Sequence, residues 1–149
     1  MNAEYLNHSC YVDTNVFIYL FDYTAGRKNI IAREIYKSLI QSELGFISIL
    51  VVSEWRNVMI RKYKTLINDD TRLEFLELFE IWSPALISLK TIIKAEELSK
   101  RYCLSPFDSL HIQSALDQNC KFFLSEDMQD GLLINDQLTI VNPFKQQCP

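Results

Sequence analysis

The sequence is short of the residues that make linkers and loose loops. Three glycines and four prolines in 149 residues leave no flexible linker, low-complexity tract or repeat, so residues 1–149 read as a single domain long enough to bury its own core. Long hydrophobic runs are also missing. The apolar runs are short, that over 47–52 being broken by Ser48 and stopped by Ser53, far short of the ~20 apolar residues that a membrane-spanning helix requires. The opening Met1-Asn2-Ala3-Glu4 has neither the basic start nor the apolar stretch of a signal peptide, which predicts a cytoplasmic protein with no membrane attachment. The cysteines (Cys10, Cys103, Cys120 and Cys148) form no CxxC pair. That spacing speaks against zinc, and the cytoplasmic setting against disulfides. They are expected to be reduced and mostly buried, with Cys148 in a frayed tail. An excess of positive charge is absent too, the formal net charge being −4, which argues against binding nucleic acid over the whole surface. Locally the balance reverses: Arg56, Arg61, Lys62 and Lys64 follow one another with no acid between them, a strip able to grip phosphate.

What is present is an alternation of short apolar runs with longer helical ones. Strands are predicted at Cys10–Val12, Phe46–Ile49, Ala85–Ser88, Phe122–Leu124 and Thr139–Val141. Helices are predicted over Thr14–Asp22, Asn29–Ser42, Leu50–Thr65, Thr71–Trp82 (with Thr71 and Glu74 as a capping pair), Thr91–Tyr102 and Pro106–Gln118. Strands separated by helices of this length pair in parallel through right-handed crossovers. The predicted fold is therefore α/β, a three-layer α/β/α sandwich around a mainly parallel sheet of about five strands. Ligands of such sheets sit beyond the carboxyl ends of the strands.

Four acids fall at that edge. Asp13 follows the first strand, Glu54 lies early in the helix after the second, Asp108 is the third residue of a helix opened by Ser105-Pro106, and Asp127 lies just past the fourth strand. Each has a plainer reading. Asp13 could cap a helix, Asp108 could complete a capping box, Glu54 could be an exposed helix acid, and Asp127 and Asp130 could be turn residues before Gly131. Taken together, convergent carboxylates repel one another unless a cation sits among them. A hard divalent ion such as Mg²⁺, which prefers oxygen ligands and keeps several waters, suits such a cluster.

These segments resemble the PIN-domain family, in particular VapC-type toxin ribonucleases of toxin–antitoxin pairs. The likeness is carried by Tyr11-Val12-Asp13-Thr14-Asn15-Val16-Phe17-Ile18-Tyr19, by Ile47-Ser48 followed by Glu54, by Phe107-Asp108-Ser109-Leu110-His111-Ile112 with Ala115, by Leu124-Ser125-Glu126-Asp127-Met128-Gln129-Asp130-Gly131, and by Ile140-Val141-Asn142-Pro143-Phe144. It covers nearly the whole chain in order. The resemblance implies a PIN-like fold and a metal-dependent endoribonuclease, with catalytic Asp13, Glu54, Asp108 and Asp127. Of these, Asp13, Asp108 and Asp127 surround Mg²⁺ or Mn²⁺, and Glu54 completes the cluster. It further implies an RNA substrate, a cognate antitoxin protein, and hydrolysis without a covalent intermediate. The alternatives are a housekeeping PIN nuclease in RNA maturation and a non-catalytic RNA-binding module.

Asn15, Ser125 (where many relatives carry threonine) and Asp130 are candidates for additional site residues. His111, one turn after Asp108, is expected to pack or hydrogen-bond within the fold rather than act as general base. Arg56, Arg61 and Lys64 are the candidates for RNA phosphate contacts, since they follow Glu54 on one predicted helix. The aromatics Phe17, Tyr19, Phe21, Tyr23 and Tyr36 exceed what a core of this size obviously needs. A homodimer or an antitoxin segment is expected to cover some of them. Two rivals fail on single residues. A haloacid-dehalogenase-type phosphatase needs a second aspartate where Asn15 stands, and a receiver domain needs its lysine at the other end of the strand that Lys121 precedes.

Overall fold

The computed structural model describes residues 3–145, so Cys148 lies outside the described residues. A five-stranded sheet runs in the order β2-β1-β3-β5-β4, with β1 at Cys10–Val12, β2 at Gly45–Phe46, β3 at Phe122–Leu124, β4 at Leu133–Ile134 and β5 at Leu138–Val141. β2, β1, β3 and β5 are mutually parallel, and β4 pairs antiparallel with β5. Helices lie on both faces of the sheet: α1 (Thr14–Tyr19), α2 (Arg27–Ser42), α3 (Ile49–Arg61), α4 (Asp69–Leu78), α5 (Leu89–Tyr102) and α6 (Pro106–Asp117). The expected α/β/α architecture is what is found. None of the described helices is long and apolar enough to cross a membrane.

The strand expected at Ala85–Ser88 does not form. Ala85 alone bridges to Ser48, exchanging Ala85 N–H to Ile47 O and Ile49 N–H to Ala85 O. Pro84 before it has no N–H to extend a ladder, Leu86 points outward, and Ser88 is spent as the N-cap of α5, accepting the Thr91 N–H. The fifth strand is instead β4, which forms a hairpin with β5 through Asn135-Asp136, both at positive φ. That pair suits the tight turn matching strand twist.

Helix ends also differ from expectation. α1 stops at Tyr19 because the Asn29 side chain donates to Tyr19 O and Leu20 O. α3 stops at Arg61, after which Tyr63 turns its hydroxyl to Asp22. α4 begins at Asp69, two residues before the expected start, capped by Asn68 accepting the Thr71 N–H, and continues as a 3₁₀ turn over Phe79–Trp82.

The aromatics taken as surplus are used internally. Phe17 packs edge-on to Phe79 and Trp82, while Phe21 and Phe75 pack about Trp55. Tyr36 joins them through Phe17, Phe75 and Trp82. Among the five named aromatics only Tyr23 is mainly exposed. Gly45 makes room for this cluster: a Cβ there would lie 2.2 Å from the Trp82 ring.

Candidate metal centre

The strand order places the site. From β1 the chain crosses outward to β2, and from β3 it crosses the other way to β5, so the topology reverses between β1 and β3. A crevice opens at the carboxyl ends where such a reversal occurs. The residue after β1 is Asp13 and the residue after β3 is Ser125, and the two meet: the Ser125 hydroxyl donates to Asp13 Oδ2 at 2.8 Å. The other Asp13 oxygen accepts the Thr14 N–H at 2.8 Å, so the helix-cap reading of Asp13 is correct and coexists with its place in the site. Ser125 Oγ also accepts the Asp127 N–H, tying the loop after β3 to the same point.

Glu54 reaches this centre from α3. Thr14 Oγ1 donates to its Oε2 at 2.7 Å, and its Oε1 lies 3.0 Å from His111 Nε2. One carboxylate oxygen each from Asp13 and Glu54 and one ring nitrogen of His111 lie within 4.8 Å of one another. Asp13 is buried, and burial raises its pKa, with Glu54 adding to the rise and His111, Ser125 and Thr14 opposing it. Burial would raise Glu54 as well. The hydrogen bond and charge of His111, with Thr14, overrule it and hold that carboxyl below its ordinary value. Burial would lower His111, yet the hydrogen bond to Glu54 and the charges of Asp13, Glu54 and Asp108 carry it upward.

Two buried or half-buried acids side by side, one of them pushed toward protonation, form a donor set that a divalent cation would relieve. The residues present therefore fit a hard metal ion. His111 fits less well as a ligand, because its other nitrogen, Nδ1, lies 2.9 Å from the Tyr11 hydroxyl and both nitrogens are thus engaged.

The remaining predicted residues stand around this pair. Asp108 is half-buried on the first turn of α6, where Ser105 caps the helix by accepting the Asp108 N–H. Its charge is felt at His111. Asp127 is exposed, and its Oδ2 accepts from Asn15 Nδ2 at 2.7 Å. Neither Asp108 nor Asp127 belongs to the tight group formed by Asp13, Glu54 and His111. Asp130 is engaged elsewhere: its oxygens accept from the Asn142 N–H and from Lys145 Nζ, clamping the turn after β5.

Of the basic strip, Arg56 and Arg61 are exposed on α3, whereas Lys64 lies beyond its end. Residues two apart on a helix do not face alike, so Arg56 points away from Glu54. Arg61, seven residues on, returns to the same side about 10 Å along the axis.

Sequence reasoning did not find Thr14, Tyr11 and Ser48 as parts of the centre. The signal was there for two of them. Tyr11 is a phenol in the middle of a fully buried strand, where its hydroxyl must find a partner. Ser48 interrupts an apolar run, Ile47 to Val52.

Comparison with known proteins bears on the family and the fold. The family model described as the PIN domain matches residues 10–129. No curated protein matches the sequence. Among solved structures, the chain is similar to one from a toxin–antitoxin complex of Klebsiella pneumoniae, with a TM-score of 0.65 and 20% identity over 93% of this chain and 100% of that one. It is also similar to one in VapBC2 from Rickettsia felis bound to a DNA fragment from their promoter, with a TM-score of 0.61 and 13% identity over 89% of this chain and 98% of that one. At such identities the solved structures speak for the fold, while the family model, spanning most of the sequence, speaks for descent: the chain belongs to the PIN domain family.

Proposed function

We propose that the protein is a metal-dependent endoribonuclease acting as the toxin of a VapC-type toxin–antitoxin pair. The observation that carries the nuclease reading is the Asp13–Glu54 pair at the β1/β3 crevice, oriented by Ser125 and Thr14. Asp13, Asp108 and Asp127 would hold Mg²⁺ or Mn²⁺, with Glu54 completing the cluster. A bound ion of this kind supplies an activated water and neutralises charge on the phosphate. The chain's own residues do the rest. Ser125 and Thr14 fix the Asp13 carboxylate, Asn15 ties Asp127 to α1, and Arg61 offers a cation for the RNA backbone on the Glu54 side of α3. The donors are hard oxygens, which favour Mg²⁺ or Mn²⁺ over zinc.

RNA incubated with the protein and Mn²⁺ should be cut. EDTA should stop the reaction, and Mg²⁺ or Mn²⁺ added back should restore it. Full activity under thorough chelation would sink the mechanism.

The toxin reading draws on the neighbours above, whose structures come from toxin–antitoxin complexes. A partner would find an aliphatic rather than an aromatic surface here: Leu86 is 82% exposed, Leu89 71% and Ile93 65%. We take a homodimer or a bound antitoxin to cover such residues. Light scattering of the isolated chain at micromolar concentration should give twice the monomer mass, and a monomer would remove the dimer.

A further inference from the structure

We propose that His111 is a positioning residue for Glu54, the last member of a hydrogen-bond chain that leaves the N-terminus of α3 and returns to it. The catalytic consequence depends on the metal-nuclease reading above, whereas the geometry does not.

The chain can be followed proton by proton. The Leu50 N–H donates to Ser48 Oγ, the N-cap of α3, at 3.3 Å. Ser48 Oγ lies 2.7 Å from the Tyr11 hydroxyl, which lies 2.9 Å from His111 Nδ1. His111 Nε2 lies 3.0 Å from Glu54 Oε1. An ionised carboxylate has no proton to give, so Nε2 carries the hydrogen. In the neutral ring Nδ1 is then the acceptor, so Tyr11 donates its one hydroxyl hydrogen there and takes the hydroxyl hydrogen of Ser48. Ser48, Tyr11 and His111 each give one proton and take one.

Ser48, Tyr11 and His111 are all buried, where a polar group left without its partner is costly. The chain is therefore held as a unit. It also acts across the fold: Ser48 and Glu54 share α3, Tyr11 is on β1, and His111 is on α6. Thr14 Oγ1, on α1, pins the other Glu54 oxygen. A flexible side chain that is more than a third exposed is thus held at both oxygens by separate elements, facing Asp13. With both nitrogens engaged, His111 serves the centre through Glu54 rather than as a ligand.

The test uses His111→Leu, which removes the donor, and His111→Gln, which returns an amide N–H near the Nε2 position. Crystal structures of the metal-free proteins should show Glu54 in one position in wild type and His111→Gln, and displaced or split in His111→Leu. Calorimetric Mn²⁺ titration should show affinity reduced roughly 10–100-fold in His111→Leu, the usual effect of losing a group that orients a metal ligand, with most of it restored in His111→Gln. RNA cleavage should follow the same order.

Should His111→Leu fail to fold, Tyr11→Phe carries the test. It removes only the hydroxyl and keeps the ring stacked on Phe123, and a smaller loss in the same direction is expected. Glu54 unmoved in His111→Leu, or a folded His111→Gln as defective as His111→Leu, would overturn the proposal. If wild type neither binds Mn²⁺ nor cuts RNA, the nuclease reading falls, and the position of Glu54 in the crystals still decides this one.

Discussion

Asp13→Asn removes one charge from the centre at nearly constant shape, and its effect on stability should change sign with metal. Without metal, the ionised Asp13 is a liability of the folded state, since burial raises its pKa and Glu54 pushes the same way. A raised carboxyl means that the folded protein binds more protons than the unfolded chain between the two pKa values. Stability therefore falls as pH climbs from the ordinary carboxylate range through the folded-state value. Asparagine removes that slope. Its cost is one hydrogen bond to be reversed. The amide oxygen still accepts the Thr14 N–H, but the amide nitrogen faces the Ser125 hydroxyl, which must turn from donor to acceptor. A neutral bond of this kind is worth about 0.5–1.5 kcal/mol, so at pH 8 the metal-free variant should melt at or above wild type. Mn²⁺ at a hundred times its Kd stabilises a one-site protein by about 2.7 kcal/mol. At ~2–4 °C per kcal/mol for a chain of this size, wild type should gain roughly 5–11 °C, and Asp13→Asn almost nothing. Scanning calorimetry at pH 5 and pH 8, with and without Mn²⁺, reads all four quantities, and RNA cleavage measured alongside should be abolished. A metal-free variant melting several degrees below wild type at pH 8 would refute the electrostatic reasoning. A full Mn²⁺ shift or wild-type cleavage in the variant would refute the metal assignment.

Charge reversal at Arg61 and Lys64 should weaken RNA binding and flatten its dependence on salt, because fewer counterions are released per complex. The larger share should come from Arg61, which shares the Glu54 side of α3, and an unchanged slope in a filter-binding salt series would return both residues to the solvated surface. Gly45→Ala should destabilise the fold by about 1–3 kcal/mol, the usual range for an overpacked core, since the new methyl would meet the Trp82 ring at 2.2 Å and Leu39 at 3.0 Å. Urea denaturation would check this, and a midpoint equal to wild type would mean that Trp82 moves freely.

The parts of the fold that the sequence announces are those with a local physical cause. Cys10–Val12 and Phe122–Leu124 stand out as short apolar runs with an acid or hydroxyl just past their ends, and both are central strands. Pro106 at the first turn and Ser105 before it mark the start of α6 on stereochemical grounds alone. Ala85–Ser88 failed for a reason that apolar pattern does not register: Ser88 caps a helix more favourably than it extends a strand. The β4–β5 hairpin was legible in principle. Asn135-Asp136 between two apolar stretches is turn chemistry, overlooked because Leu133–Ile134 is only two residues long. In the site, Asp13 and Ser125 follow from strand ends, which topology brings together. The pairing of Glu54 with His111 spans 57 positions and depends on how α3 and α6 pack, which periodicity does not encode.

The aromatic residues show the same limit from the other side. By count they suggest a surface awaiting a partner, yet their place in the fold connects them to the chemistry. Trp55, the neighbour of Glu54 on α3, is fully buried against Phe21, Phe75 and Phe79. Phe17, three residues after Thr14 on α1, packs on Phe79 and Trp82. The cluster thus clamps α1 to α3, and the Thr14–Glu54 hydrogen bond is made across those two helices. Such bonds hold only over a narrow range of distance, and close-packed rings leave the backbone of both helices little room to shift. The orientation of Glu54 is therefore set within one chain, by rings on one side and by the Ser48–Tyr11–His111 relay on the other. No partner is needed to build the centre.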